Sequence, residues 1–239
     1  RVVATQGDPD APVNKGLKRL EIKALMMDAK GLYAGTGDGV YLLNAAQDQW
    51  KVVSTGLDEI LVHALARTDD GTLYAGTSGK GVHSYKERST GWTRLRQGLR
   101  DHEGLVENFI RVLAVDKEQG VYAGTFDGGV FRSGDAGKTW SPISRALPND
   151  SNRGLISNER GVYVATGRGI FKTVDKGRQW VPLNKGLSNL SVQVLIEGEK
   201  VGFYAGTSSG VSRSDDDGLT WTAVSQGLEG ESVAPFKFN

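Results

Sequence analysis

The feature that most constrains this chain is a five-residue motif that occurs five times. Each copy has an apolar residue, a tyrosine, two small residues and a threonine, and the copies are Leu32–Thr36, Leu73–Thr77, Val121–Thr125, Val162–Thr166 and Phe203–Thr207. Their tyrosines are separated by 41, 48, 41 and 41 residues, and the five tryptophans are separated by 42, 48, 40 and 41 residues. Repetition at this period indicates that one structural unit is used five times.

Each unit is predicted to contain four short strands. In the third unit the strands are expected at Phe109–Val115, Gly120–Thr125, Gly129–Ser133 and Thr139–Ile143. Four strands in a repeat of this length are typical of a β-propeller blade, so the sequence predicts an all-β propeller. Five blades are favoured, and part of a six- or seven-bladed ring is the alternative.

We expect a single propeller domain over residues 1–239, with repeats at approximately 17–56, 57–98, 99–146, 147–186 and 187–227. The one long step between repeats places an insertion at about Arg100–Glu107. Residues 1–5 resemble a fourth strand, and residues 232–238 resemble the start of a further first strand that Pro235 would weaken. These partial strands are compatible with a five-bladed ring whose ends overlap or with a piece of a longer propeller.

Composition narrows the classes of partner. The net charge is +1, which predicts neither nucleic acid nor an anionic membrane as a partner. The sequence contains no run of about 20 apolar residues, so it predicts no membrane-spanning helix. Cysteine is absent, so neither disulfides nor thiolate metal sites are expected, and no cofactor is implied. We expect an extracellular or periplasmic protein whose signal segment is not part of this chain.

An eight-residue segment, which we call the octad, occurs at Ser133–Trp140, Thr173–Trp180 and Ser214–Trp221. Its Asp can accept hydrogen bonds from N–H groups of a turn, and the Gly two residues later can adopt a positive φ. Its Trp can fill the gap between the hairpin and the sheet. The sequence therefore assigns a structural role to Ser133, Asp135, Gly137, Trp140, Asp175, Gly177, Trp180, Asp216, Gly218 and Trp221.

The octads resemble the Asp-box, or BNR, repeat, whose pattern is Ser-x-Asp-x-Gly-x-Thr-Trp. The first and third octads match it fully, whereas the second has Thr173 for Ser and Gln179 for Thr. Repeats one and two keep only the tryptophan. The resemblance implies a propeller similar to those of sialidases, xyloglucan-degrading glycosidases, sortilin-type receptors and an assembly factor of photosystem II. It also implies that the octads lie away from the functional face.

Three functions are compatible with this scaffold. The first is a non-enzymatic propeller that binds a protein or glycan partner. The second is a glycoside hydrolase with a non-standard carboxylate pair, since the Arg-Ile-Pro segment of sialidases is missing and the candidate acids are Asp38, Asp127, Glu103 and Glu107. The third is a structural domain of a larger cell-surface or filament protein. We favour the first because no catalytic motif is recognisable.

Equivalent positions in the repeats point to a binding face. One residue just before the apolar part of each predicted first strand forms a set that we call the collar: Lys23, His63, Arg111, Arg153 and Gln193. In a propeller this position lies at the entrance of the central channel. The loops between the second and third strands form the rim of this entrance, and their charged residues are Asp38, Lys80, Asp127 and Arg168. The insertion and the loop 148–153 fall on the same face. We expect an anionic or carbonyl-rich ligand there, or an acidic partner segment. The alternative is that long side chains merely cover apolar surface.

Overall fold

The computed structural model describes residues 14–43, 49–53, 55–95, 109–145, 147, 152–198 and 202–224. In these ranges the chain forms twenty strands in five four-stranded antiparallel sheets. Within each sheet the four strands are hydrogen-bonded in sequence order. The predicted all-β propeller of five blades is confirmed. The insertion, residues 148–151, the partial strands at both ends, and the acids Glu103 and Glu107 lie outside the described residues.

The strands follow one another without helices in the described ranges. Blade 1 contains β1 (Ile22–Asp28), β2 (Gly31–Thr36), β3 (Gly39–Leu43) and β4 (Trp50–Val52). Blade 2 contains β5 (Val62–Arg67), β6 (Leu73–Thr77), β7 (Gly81–Tyr85) and β8 (Thr93–Leu95). Blade 3 contains β9 (Ile110–Val115), β10 (Val121–Thr125), β11 (Val130–Ser133) and β12 (Ser141–Pro142). Blade 4 contains β13 (Asn152–Asn158), β14 (Gly161–Thr166), β15 (Gly169–Thr173) and β16 (Val181–Pro182). Blade 5 contains β17 (Val192–Glu197), β18 (Phe203–Thr207), β19 (Gly210–Ser214) and β20 (Thr222–Ala223).

The recurrent five-residue motif forms the second strand of every blade, and its residue types follow from packing. The motif tyrosines of blades 1 to 4 are buried, and each joins an apolar cluster with the next blade. Tyr74, for example, packs with Ile110, Leu113 and Trp140 of blade 3. Each large apolar side chain buried in this way contributes roughly 1.5–3 kcal/mol. These contacts hold successive blades face to face.

The small residue and the threonine of the motif have separate roles. A Cβ atom built on Gly76 would lie 2.6 Å from Cγ2 of Ile110, so glycine lets the next inner strand approach closely. The buried Thr77 hydroxyl donates a hydrogen bond of 2.7 Å to the carbonyl oxygen of Gly81. Thr36, Thr125, Thr166 and Thr207 make the same contact in the other blades. The threonine therefore closes the turn between the second and third strands.

The octads connect the third and fourth strands of blades 3, 4 and 5. In the first octad, Ser133 Oγ donates to Asp135 Oδ1 at 2.7 Å and accepts the Gly137 N–H at 2.8 Å. Asp135 accepts the Thr139 hydroxyl at 2.6 Å and the Thr139 N–H at 2.8 Å. The side-chain hydrogen bond from Thr139 is the main reason why the pKa of Asp135 is lowered to about 2. The Asp135 carboxylate therefore stabilises the turn in which it lies.

The octad tryptophans join neighbouring blades. Trp180 Nε1 donates to the carbonyl oxygen of Ile143 at 2.8 Å, and Trp221 Nε1 donates to that of Leu183 at 2.8 Å. Both acceptors follow the fourth strand of the preceding blade. Because first and third strands run in the same direction within a blade, the octads lie at the end of the propeller opposite the start of the inner strands.

Candidate ligand-binding site

The first strands of all five blades surround one central cavity of about 450 Å³. Its walls are formed by short segments around the beginning of β1, β5, β9, β13 and β17. Apolar side chains such as Leu25, Leu113 and Leu195 line the interior, and charged side chains lie at the start of the strands. The cavity is a concave space of the size that binds small groups or a few side chains.

The collar has a single structural cause. In every blade the register between the first and second strands shifts, and the skipped residue is Lys23, His63, Arg111, Arg153 or Gln193. A β-bulge adds one unpaired residue to a strand and redirects its side chain. The five collar residues are therefore the bulge residues of the five inner strands.

The structure brings four of the five collar residues to the cavity, namely Lys23, His63, Arg111 and Arg153. Gln193 instead directs its amide nitrogen to Ser191 Oγ at 3.1 Å and to Ser208 Oγ at 3.3 Å. Arg153 Nη1 donates to the same Ser191 Oγ at 3.1 Å, which connects blade 4 to blade 5. Lys23 forms an ion pair of 2.7 Å with Glu21.

The cations of the collar influence one another. Burial and then the charges of Lys23 and Arg111 lower the pKa of His63. Burial and then the charge of Arg153 lower the pKa of Arg111. Like charges near a partly buried group disfavour its charged form, and an anion placed among them reverses this effect. The cationic side chains at the mouth of the cavity therefore repel one another.

An aromatic group extends the collar. The ring centroids of His63 and Phe109 are 5.0 Å apart, and those of Phe109 and Phe126 are 5.6 Å apart. The guanidinium carbon of Arg111 lies 5.5 Å from the centroid of Phe126, within range of a cation–π interaction. Phe126 is 51% exposed. Sequence reasoning did not select Phe126, although small residues occupy this turn position in the other repeats, at Gly37, Ser78, Gly167 and Ser208.

The predicted rim residues have different surroundings. Asp38 is buried and accepts hydrogen bonds from Tyr41 Oη at 3.1 Å and from the Glu59 N–H at 3.0 Å. It also pairs with Lys18 at 3.2 Å. The hydrogen bond from the Glu59 N–H is the main cause of the lowered pKa of Asp38. These contacts favour a structural role that ties blade 1 to the linker of blade 2, whereas Lys80, Asp127 and Arg168 are exposed.

Metal and membrane features are not found in the part of the chain that the structure describes. Within it, no group of three His, Cys, Asp or Glu residues could hold a metal ion. No helix among the same residues has the length and apolarity needed to cross a membrane. Two candidate acids of the hydrolase hypothesis lie in the described residues. Asp38 is buried and hydrogen-bonded to Tyr41 and to the Glu59 N–H, whereas Asp127 is exposed to solvent.

Comparison with known proteins identifies the architecture. No protein-family profile matches the chain, and no curated protein matches it by sequence. Among solved structures, the extracellular domain of the hybrid two-component system BT4673 from B. thetaiotaomicron is similar with a TM-score of 0.68 and 22% identity. The match covers 85% of this chain and 27% of that one.

Two other similar structures are an enzyme and a peptide-bound protein. The GH74 enzyme of Niastella koreensis has a TM-score of 0.65 and 15% identity, over 87% of this chain and 38% of that chain. YCF48 bound to a D1 peptide has a TM-score of 0.64 and 14% identity, over 90% of this chain and 74% of that chain. The chain thus spans about a quarter of the two-component system chain and under two fifths of the glycosidase. At sequence identities of 14–22%, the similarity shows that the chain shares the β-propeller fold of these three proteins.

Proposed function

We propose that this protein is a non-enzymatic binding propeller that holds an acidic segment of a partner protein at the entrance of its central channel. The observation that carries the proposal is the convergence of Lys23, His63, Arg111 and Arg153 on one cavity. Carboxylates form strong charge-assisted hydrogen bonds with guanidinium groups, and Arg111 and Arg153 offer two of them side by side.

A protein segment fits this face better than a small anion. Leu20, Phe126 and Leu190 are exposed large apolar side chains in loops next to inner or second strands on the entrance side. Exposed apolar side chains beside a charged centre suit a partner that combines acidic and apolar residues. A glycan would be bound mainly through hydrogen bonds and aromatic stacking, and Phe126 is the one exposed aromatic that supports it among the described rim residues.

Two of the similar structures support this proposal. YCF48, one of the similar propellers, has been solved with a bound peptide. The BT4673 propeller belongs to an extracellular domain, which is consistent with export of this chain. We further propose that the octads make the chain a member of the Asp-box propellers, since all three share the same hydrogen bonds between positions one, three, five and seven.

Charge reversal tests the binding face. The probe is a fluorescein-labelled peptide of alternating glutamate and leucine, and its binding is measured by fluorescence anisotropy. The variant Arg111→Glu with Arg153→Glu should bind roughly 30-fold more weakly or worse, because like charges then face each other across the site. A matched variant, Lys138→Glu with Arg178→Glu, makes the same charge change on exposed residues of the octad face. It should bind as the wild type does.

Two results would contradict the proposal. Unchanged binding by the arginine variant would show that the collar is the wrong face. Binding of an acidic polysaccharide at the collar, with no binding of the peptide or of any acidic protein segment, would replace the partner class with a glycan. A peptide in which glutamine replaces glutamate is the control for contacts that do not depend on charge.

A further inference from the structure

A second cavity, which we call the lateral pocket, lies between blades 1 and 2 on the octad face of the ring. Its volume is about 210 Å³, and it shares no lining residue with the cavity of the collar. Its charged lining consists of Lys30, Lys51, Arg67 and Glu87. Its apolar and aromatic lining consists of Tyr33, Leu42, Val52, Val53, Leu73 and Tyr85.

The octads fill the equivalent position at the other blade interfaces. A Cβ atom built on each octad glycine would lie 2.4–3.0 Å from an apolar side chain of the preceding blade, in the pairs Gly137–Leu95, Gly177–Ile143 and Gly218–Leu183. Val53 is the equivalent residue in blade 1, because it makes the same N–H hydrogen bond to the third strand as Ile143 and Leu183 do. An octad therefore covers the blade that precedes it.

Blade 2 has no octad to cover Val53. Tyr85 and Glu87 stand at the positions of the octad Ser and Asp, and Ser89 stands at the position of the glycine. Ser89 is exposed, whereas Gly137 of the first octad is buried. The turn of blade 2 leaves Val53 only partly buried, and the lateral pocket is the space that remains.

The interface between blades 4 and 5 shows which chemical group suits this space. Asp217 is the fourth residue of the third octad, and its carboxylate reaches into blade 4. It accepts the Tyr163 hydroxyl at 2.6 Å and the Nε–H of Arg160 at 2.7 Å. The corresponding residues of blade 1 are Tyr33 and Lys30. The octad of blade 5 therefore places a carboxylate against the hydroxyl of the motif tyrosine.

The tyrosine hydroxyl of blade 1 has no such carboxylate. Tyr33 Oη accepts a long hydrogen bond of 3.4 Å from Arg67 Nη1, and no described residue accepts its proton. Burial is the main cause that raises the pKa of Tyr33, so the hydroxyl remains a donor at neutral pH. Arg88 has the octad position and the positive φ of Asp217, but it carries the opposite charge. The lateral pocket thus keeps the donor and lacks the acceptor.

The charges of the lateral pocket favour an anion. Lys30 pairs with Glu87 at 2.6 Å, and Arg67 pairs with Asp28. Lys51 has no ionic partner among the described residues. The two pairs are each neutral, so Lys51 leaves one positive charge at the pocket that a carboxylate can balance.

We propose that the lateral pocket binds a small carboxylic acid whose apolar body is about the size of one ring. Its carboxylate accepts the Tyr33 hydroxyl and pairs with Lys51, and its apolar body contacts Leu42, Val53 and Tyr85. A volume of about 210 Å³ is smaller than sites for drug-sized ligands, which limits the ligand to this size. The bound acid takes the place that an octad occupies at the next interfaces.

Phenylacetate is the probe for this site, and phenylacetamide is the control ligand without the charge. Binding is measured by isothermal titration calorimetry and mapped by ¹H–¹⁵N NMR. Tyr33→Phe keeps the ring and removes the hydroxyl, so the affinity for phenylacetate should fall about tenfold, as expected for one hydrogen bond to a charged group. Tyr204→Phe makes the same change at the equivalent tyrosine of blade 5 and should bind as the wild type does.

Restoring an octad in blade 2 should close the lateral pocket. The variant combines Tyr85→Ser, Glu87→Asp, Arg88→Asp, Ser89→Gly and Gly91→Thr, which reproduces the pattern of the third octad. Binding of phenylacetate should be lost, and thermal unfolding followed by circular dichroism shows whether the variant is folded. If it does not fold, the result with Tyr33→Phe decides alone.

A collar variant separates this proposal from the proposed function. Arg111→Glu with Arg153→Glu should still bind phenylacetate, with NMR shift changes at Tyr33, because the two sites share no residue. Complete loss of phenylacetate binding in that variant would place the anion at the collar and overturn the proposal. The proposal is also wrong if Tyr33→Phe binds as the wild type does, if phenylacetamide binds as tightly as phenylacetate, or if the wild type binds neither.

Discussion

At the scale of single residues, the site depends on how a bulge presents one side chain per inner strand. The extra residue of each bulge leaves the alternation of the strand, and four of these residues reach the same cavity. Burial and mutual repulsion then disfavour the charged forms of His63 and Arg111. A carboxylate from a partner would offset this repulsion, which is the physical basis of the anion preference that we propose.

The pH dependence of binding follows from His63. Burial and the charges of Lys23 and Arg111 lower its pKa in the free protein, and a carboxylate bound beside it should raise that pKa, so binding should be coupled to proton uptake. The affinity for the peptide should therefore increase as the pH falls through the pKa that His63 has in the complex. It should level off below the pKa that His63 has in the free protein. His63→Gln should abolish this dependence. Anisotropy titrations between neutral and mildly acidic pH check it, and an equal slope in the variant would rule out His63 as the group involved.

Phe126 tests the apolar part of the site. Phe126→Ser introduces the residue that occupies this turn in blades 2 and 5, as Ser78 and Ser208, so the turn should be preserved. The peptide of glutamate and leucine should bind about fivefold more weakly, because a cation–π contact and an apolar contact together are worth about 1 kcal/mol. Ser208→Ala is the control. Unchanged affinity in Phe126→Ser would exclude the aromatic ring from the site.

Two residues show the limits of prediction from sequence at this scale. The rim position of Asp38 follows from the repeat pattern, but its burial depends on Tyr41 and on the Glu59 N–H of the next repeat. Phe126 could have been found from sequence, since it is the one large residue at a turn position that is otherwise small. Its proximity to Arg111 depends on tertiary packing.

At the scale of elements, the octad shows that a recurrent motif can serve the fold alone. Its Ser or Thr, Asp and Gly satisfy one another within the turn, and its Trp packs between neighbouring blades. The strands were predictable because each follows a repeated pattern of apolar and small residues. The bulges were not, since a register shift depends on how two strands pair and leaves the repeat length unchanged.

The second octad offers a stabilising substitution. Asp175 accepts the N–H of Gln179 at 2.9 Å, whereas Asp135 and Asp216 also accept a threonine hydroxyl at 2.6 Å. Gln179→Thr should add this hydrogen bond and raise the melting temperature. Gln179→Val, which has the same shape without the hydroxyl, should not. Thermal unfolding followed by circular dichroism checks both, and equal melting temperatures would show that the hydroxyl contributes nothing to the turn.

At the scale of the whole molecule, repetition made the architecture predictable and left the binding site open. Five equivalent units specify which residues occupy the same register, so the collar could be proposed from sequence. The direction of each side chain could not, because Gln193 turns to Ser191 and Ser208 while the other four collar residues face the cavity. Convergence of side chains from separate blades is a property of the ring alone.

The most direct test of the proposed binding face is a crystal structure of the full chain with the peptide of glutamate and leucine. We expect a glutamate carboxylate of the peptide within hydrogen-bond distance of Arg111 and Arg153, with apolar peptide residues against Phe126. Peptide density confined to the octad face or to the outer edges of the blades, with the cavity mouth empty, would contradict the account.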